Sequence, residues 1–320
     1  MTTRKALPVY AAVILVALSW LAPVTAQENP YLGQWNLIGT GENAGSVYWL
    51  DVKENGGKLT GTFLNRSSSP FPLVQIRIED GELIFNPRGR NAETPGPEFR
   101  AKAEGGKLTG SVQMPNGPRT FVGVRPAKFS AVNASGKHAY GKPIDLFDGK
   151  SMDNWDVQHK TRPIKWAVVD GVMTNEPPGA NNLVSKATFN DFKIEAEYKL
   201  DKDSNSGIYL RGRYELQVLD DFGKPADKNS HMSIYGRTPP SANASKAPGE
   251  WQTIEAIVVG NKVSVVLNGQ KVHDNATLVG ITGGALDANE TEAGPVMLQG
   301  DHGKVWYRKV IVTPITKIGS

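Results

Sequence analysis

The residues best equipped for chemistry gather in and after one segment, 207–220. Ile208, Leu210, Tyr214, Leu216 and Val218 alternate there with Tyr209, Arg211, Arg213, Glu215 and Gln217. Successive side chains of a strand point to opposite faces. The spacing predicts one strand with an apolar row for the core and a polar row that joins a guanidinium, a carboxylate and an amide. Gly212-Arg213 is the point where a turn could interrupt it, although both halves keep the same parity. Carboxylate and imidazole are the usual general acids and bases. Glu215 is followed by further candidates of this kind, His231, Glu250 and His302. Tyr209 and Tyr235 add aromatic surface, and Gln217 and Gln299 add amides. Sugars need hydrogen-bonding groups and an apolar platform together, so this set suits a carbohydrate. A solvated sheet face would show the same alternation. The accompanying aromatics and the long Gly-, Pro- and Asn-rich segment 222–249 favour a site, because long loops at strand ends are often functional.

The elements that must position these residues are strands. Short alternating runs lie between Gly, Asn, Asp and Pro clusters, the pattern of an all-β chain. The first part offers strands at 46–53, 59–64, 73–79, 82–86, 99–103, 108–113 and 120–125. Within it, Gly56-Gly57-Lys58-Leu59-Thr60-Gly61 recurs 49 residues later as Gly105-Gly106-Lys107-Leu108-Thr109-Gly110. Gly-Gly ahead of a strand is turn chemistry, so the echo predicts two similar hairpins in one small barrel or sandwich. Alternation fades over 127–140, a linker-like stretch with room for one short helix. The second part offers strands at 165–169, 172–175, 182–185, 192–200, 207–219, 252–259, 262–267, 270–273, 296–299 and 305–313. Asn268-Gly269 marks a hairpin. About ten strands in roughly 175 residues predict a sandwich of two antiparallel sheets. The expected organisation is a leader over 1–26, a small β domain of open role over 27–130, a linker over 131–141 and a larger β domain over 142–316.

Composition limits the function classes. The chain has 320 residues, net charge +4 and pI near 9.0, with its basic residues scattered. That balance gives no reason to expect a nucleic-acid partner. Arg4 and Lys5 precede a mostly apolar stretch to Ala22, and Val24-Thr25-Ala26 offers small residues for cleavage. The apolar run 9–18 is short against the roughly 20 residues that a spanning helix needs, so we expect a cleaved signal peptide and no membrane span in the mature chain. There is no cysteine. Export without disulfides fits a bacterial periplasm or exterior, and it excludes a thiol nucleophile and thiolate metal ligands.

Seven motifs in order carry a resemblance. They are Leu146-Phe147-Asp148-Gly149-Lys150 with Trp155, Asn205-Ser206-Gly207-Ile208-Tyr209-Leu210-Arg211, and Tyr214-Glu215-Leu216-Gln217-Val218-Leu219-Asp220. Then come Ile234-Tyr235-Gly236 before a Pro pair, Gly249-Glu250-Trp251, Leu267-Asn268-Gly269 and Leu298-Gln299-Gly300-Asp301-His302. In order and spacing, nearly all of 142–314 resembles the 3-keto-disaccharide hydrolase family. One departure is Trp306-Tyr307-Arg308-Lys309, where the family usually shows Phe-Arg-Asn. The resemblance implies a concanavalin-A-like jelly-roll sandwich and lyase or hydratase chemistry on 3-keto-glucosides. It does not extend to the first domain.

Such chemistry needs a base for the C2 proton, a stabiliser for the enolate oxygen and an acid for the leaving group. Glu215 or His231 could be the base, and Arg211 suits the enolate or a hydroxyl. Glu250 and His302 are candidates for the acid or for metal ligation. Tyr209, Gln217, Tyr235 and Gln299 would hold the sugar. The Asp, Glu and His donors also suit a divalent cation. No nicotinamide is expected, because no Gly-rich dinucleotide fingerprint follows a strand. The competing reading is a non-catalytic, lectin-like carbohydrate-binding module, since jelly rolls host both.

Overall fold

The computed structural model describes residue 2 and residues 29–89, 91 and 94–319. Apart from residue 2, the expected leader lies outside the described residues. Two Gly-Gly turns set the register of the first β assembly. Its strands are β1 (Gly33–Gly39), β2 (Val47–Asn55), β3 (Lys58–Leu64), β4 (Phe71–Pro72), β5 (Gln75–Glu79), β6 (Glu82–Asn86), β7 (Phe99–Glu104), β8 (Lys107–Met114) and β9 (Gly117–Val124). Gly56 and Gly57 have φ of 58° and 78°, and Gly105 and Gly106 have 56° and 75°. These left-handed values are the ones that tight hairpins demand. Asn55 pairs with Lys58 and Glu104 with Lys107, so the sequence echo is two equivalent hairpins, β2–β3 and β7–β8.

The nine strands run in the order β4-β3-β2-β1-β9-β8-β7-β6-β5. The two ends meet. The Leu73 amide donates to the Gly61 carbonyl at 2.8 Å, and the Val74 amide donates to the Asn86 carbonyl at 3.0 Å. The sheet thereby wraps into a small barrel, filled by Trp35, Leu37, Leu50, Phe63, Phe85, Phe99 and Phe121.

Fourteen further strands build a sandwich: β10 (Ala139–Tyr140), β11 (Ile144–Phe147), β12 (Trp155–Val157), β13 (Trp166–Val169), β14 (Val172–Asn175), β15 (Leu183–Phe189), β16 (Phe192–Leu200), β17 (Asn205–Leu210), β18 (Tyr214–Leu219), β19 (Gln252–Val259), β20 (Lys262–Leu267), β21 (Gln270–Thr277), β22 (Gly294–Leu298) and β23 (Val305–Lys317). The larger sheet has the order β13-β14-β23-β16-β19-β20-β21, with β10 and β11 also paired to β23. The smaller sheet has the order β12-β15-β22-β17-β18. The chain is therefore all-β, with a jelly-roll sandwich after a smaller barrel. In β16, Phe192, Ile194, Ala196, Tyr198 and Leu200 enter the core while the intervening residues face outward. Burying a large apolar side chain contributes roughly 1.5–3 kcal/mol, so this strand anchors the two sheets on one another.

Two expectations need correction. The segment 207–219 is two strands, because residues 211–213 form the turn between β17 and β18. The stretch 127–138 holds no helix. It is tied to the sandwich instead, with the Ala134 amide donating to Asn275 Oδ1 at 2.9 Å. Residues Tyr31–Ser320 form one compact unit. Among the described residues, no helix is long and apolar enough to cross a membrane.

Candidate active site

The hairpin β17–β18 decides which side chains converge. Its register opposes Tyr209 to Glu215 and Gly207 to Gln217. Directly opposed residues share a face, so Tyr209, Glu215 and Gln217 point the same way. Ile208, Leu210, Tyr214, Leu216 and Val218 fill the core behind them. Glycine at two positions makes room for the polar face. A Cβ at Gly207 would stand 2.4 Å from Glu215 Oε1, and a Cβ at Gly284 would stand 2.4 Å from the Tyr209 hydroxyl.

Tyr209 and Glu215 lie at the floor of a cavity of about 440 Å³, within the range of small-molecule sites. Gln217, Tyr235, Gln299, Asp301 and His302 also line it. Glu215 is only 3% exposed. Burial, with a smaller push from Asp301, raises its carboxyl to about 8, against an opposing effect of the Tyr209 hydrogen bond. Burial also raises the Tyr209 phenol, so it stays protonated.

The Tyr209 hydroxyl also ties the carboxyl to the neighbouring backbone. The Tyr209 hydroxyl lies 2.8 Å from Glu215 Oε2 and 2.9 Å from the Gly283 carbonyl. A phenol has one proton, and a carbonyl only accepts. The single Tyr209 proton is therefore shared between the Glu215 carboxyl and the Gly283 carbonyl, and its bond to the carboxyl is the effect that opposes burial. The floor thus holds a carboxylic acid whose pKa lies close to neutral pH, the property sought in an acid–base catalyst.

Two imidazoles border the same cavity. His302 Nδ1 lies 2.6 Å from Asp301 Oδ1. That hydrogen bond raises the His302 pKa against the opposing effect of burial. Burial alone would raise Asp301, but His302 holds it below its ordinary value. His159 is shifted down, first by burial and then by the charges of Arg162 and Arg66, which favours its neutral form. Among the described residues, no group of three or more His, Cys, Asp or Glu could hold a metal ion.

Three predicted site residues stand elsewhere. Arg211 does not share the face of Glu215. It occupies the turn with φ of 54°, and its buried guanidinium donates to the carbonyls of Asn190 at 2.6 Å and Gly260 at 2.8 Å and to Asp191 at 3.1 Å. With its donors used on protein groups, it braces the turn. His231 is buried between Tyr198, 2.7 Å from its Nε2, and the backbone of Leu219, whose amide donates to Nδ1 at 3.0 Å. Burial lowers its pKa and holds it neutral. Glu250 caps a turn, its Oε2 accepting from the Ala247 amide at 3.1 Å. None of the three lines the cavity.

Sequence reasoning missed Gln158, His159 and Asn182 of the sandwich and Asn65, Arg66 and Ser67 of the barrel, all of which line the cavity. Asn205 and Asp301 also line it. Both sat inside motifs already singled out, and Asn205 shares the parity of Tyr209, a signal that could have found it.

The sequence pattern of the family described as the 3-keto-alpha-glucoside-1,2-lyase-like domain matches residues 142–313. A 3-keto-disaccharide hydrolase of Bacteroides thetaiotaomicron is 27% identical over 150 residues, covering 36% of this chain and 52% of that protein. The chain thus spans about half the length of this curated relative. A crystal structure from Parabacteroides distasonis, of a protein named only provisionally as a glycosyl hydrolase, is 28% identical with a TM-score of 0.47, covering 60% of this chain and 94% of that one. A second such protein from the same organism is 24% identical with a TM-score of 0.44, covering 55% of this chain and 100% of that one.

Proposed function

The chain belongs to the 3-keto-alpha-glucoside-1,2-lyase-like family through residues 142–313, and from that premise we propose that it cleaves 3-keto-glucosides by elimination across C1 and C2, with hydration to follow. The carbohydrate-active, 3-keto-disaccharide-hydrolase-like character rests on the family. The elimination route, the bacterial periplasmic or secreted location and the residue roles are our reading. The observation that carries the chemistry is the buried Glu215 carboxyl on Tyr209, raised to about 8 at the floor of the cavity.

A ketone at C3 acidifies the C2 hydrogen. A base takes that proton, the C2–H electrons form the C1–C2 double bond, and the C1–oxygen bond breaks. The departing oxygen needs a proton. Glu215 carries one at neutral pH and sits out of water, so it delivers that proton to the leaving oxygen and becomes the carboxylate. His159 and His302 border the same cavity, and a neutral imidazole is the matching base. In the return step the Glu215 carboxylate takes a proton from water as hydroxide adds to C1, and the imidazolium returns a proton to C2. Gln217, Gln299 and Tyr235 supply hydrogen bonds to ring hydroxyls. A site that only bound glycans would gain nothing from a carboxyl kept protonated by burial.

The test is incubation with a 3-keto-disaccharide, following release of the second sugar and ultraviolet absorption of the enone. The wild type is expected to release sugar with transient enone. Binding without release would overturn the reading in favour of a lectin-like module.

A further inference from the structure

We infer that the N-terminal barrel supplies the subsite for the leaving group, with Arg66 as its specificity-determining residue. This rests on the reaction proposed above and extends it beyond the part of the chain that the family pattern matches.

The barrel is built into the cavity. Asn65, Arg66 and Ser67, in the loop after β3, line it together with Gln158 and His159. All three are exposed, whereas Glu215 is buried, so the barrel loop stands at the mouth and Glu215 at the floor. Glu215 reaches the glycosidic oxygen from the floor, so the sugar beyond that oxygen has room only towards the mouth. There the loop offers a guanidinium, an amide and a hydroxyl, the donors that a second sugar requires.

The loop is held in place from both sides. The Arg66 carbonyl accepts from the Gly284 amide at 2.6 Å. The same peptide unit presents its other end, the Gly283 carbonyl, to the Tyr209 hydroxyl at 2.9 Å. One peptide therefore spans from the barrel to the Tyr209–Glu215 pair. Ser69 Oγ donates to Asn229 Oδ1 at 2.8 Å, and Asn36 donates to Glu290 at 2.8 Å. Val47, Trp49 and Leu64 of the barrel share an apolar cluster with Ile281 and Ala288 of the sandwich. The glycines of the facing segment permit this approach. A Cβ at Gly283 would stand 2.7 Å from the Ser68 carbonyl, and one at Gly280 would stand 2.5 Å from Trp49 Nε1. A loop fixed this closely is a cavity wall, and its side chains select substrate.

Arg66 touches the Gly284 amide through its backbone alone, so Arg66→Ala removes the guanidinium and leaves that bond. The experiment compares kcat/KM for a 3-keto-disaccharide and for methyl 3-keto-glucoside. Calorimetry then measures binding of the unoxidised disaccharide and of glucose. Losing a charge-assisted hydrogen bond amounts to about tenfold or more, so the disaccharide-to-methyl ratio of kcat/KM should fall by about that factor in Arg66→Ala. An unchanged ratio would overturn the inference, whether both substrates suffer equally or neither does. Ser67→Ala reports on the same wall should Arg66→Ala fail to fold. If the wild type turns over neither substrate, the proposed reaction fails and calorimetry decides the subsite. Tighter binding of the disaccharide than of glucose, lost in the variant, supports it; equal binding overturns it.

Discussion

Two buried pairs of a tyrosine with an acid–base group lie on or beside β18. Tyr209 holds Glu215, and Tyr198 holds His231, at 2.8 Å and 2.7 Å. Both are buried, and burial drives each acid–base group to its neutral form. The difference is access. Glu215 looks into the cavity, whereas His231 is sealed between the Leu219 backbone and Tyr198. Perturbed ionisation follows from burial anywhere in a protein. It becomes chemistry only where a substrate can reach the group.

Exchanging each acid–base group for its amide or an uncharged analogue separates the two pairs by the largest effect. Glu215→Gln should lower kcat on a 3-keto-disaccharide by about a hundredfold or more, the usual size of an acid–base contribution. His231→Gln should leave kcat within about threefold and destabilise the fold by about 1–3 kcal/mol, the cost of disturbing a buried hydrogen bond, as read by denaturant unfolding. The reverse pattern would move the active group to His231.

Stability against pH sharpens the same contrast. The Glu215 carboxyl has a folded-state pKa raised above its unfolded value of about 4.5. Its protonated form is favoured on folding, so the contribution is full below about pH 4.5 and is lost as pH rises through about 8. Glu215→Gln should therefore gain stability over wild type between those values, by up to a few kcal/mol at about 1.4 kcal/mol per pKa unit. A stability difference independent of pH would contradict the raised pKa. A smaller effect is expected from Tyr209→Phe. The Tyr209 hydrogen bond lowers the Glu215 pKa, so its loss should move the alkaline limb of kcat/KM to higher pH. A limb that stays in place or falls would separate Tyr209 from Glu215.

Much of the fold was legible because it is local. The alternation of 192–200 gave β16 with its outward and inward rows in place, and both Gly-Gly turns fell where hairpins need left-handed backbone. Arg211 misled because a three-residue turn preserves parity: the residues on either side keep their face while the turn residue itself is redirected into the protein. β1 (Gly33–Gly39) was missed, since Gly-Gln-Trp-Asn-Leu-Ile-Gly lacks strict alternation. His159 and the loop 65–67 reach the cavity only through long-range packing, which no spacing along the chain records. Glu215, Tyr209, Gln217, Tyr235, Gln299 and His302 all line the cavity, the first three from one pleat and the others from the ordered motifs.

The central claim is that a proton is removed from C2 and that Glu215 moves the proton that lets the C1 bond break. The most direct measurement is turnover of a 3-keto-disaccharide in deuterated water, with the released 3-keto-sugar analysed by NMR for deuterium at C2. Deuterium is expected at C2 of the wild-type product, with sugar release at least about a hundredfold slower from Glu215→Gln. Release with the original hydrogen retained at C2 would contradict it.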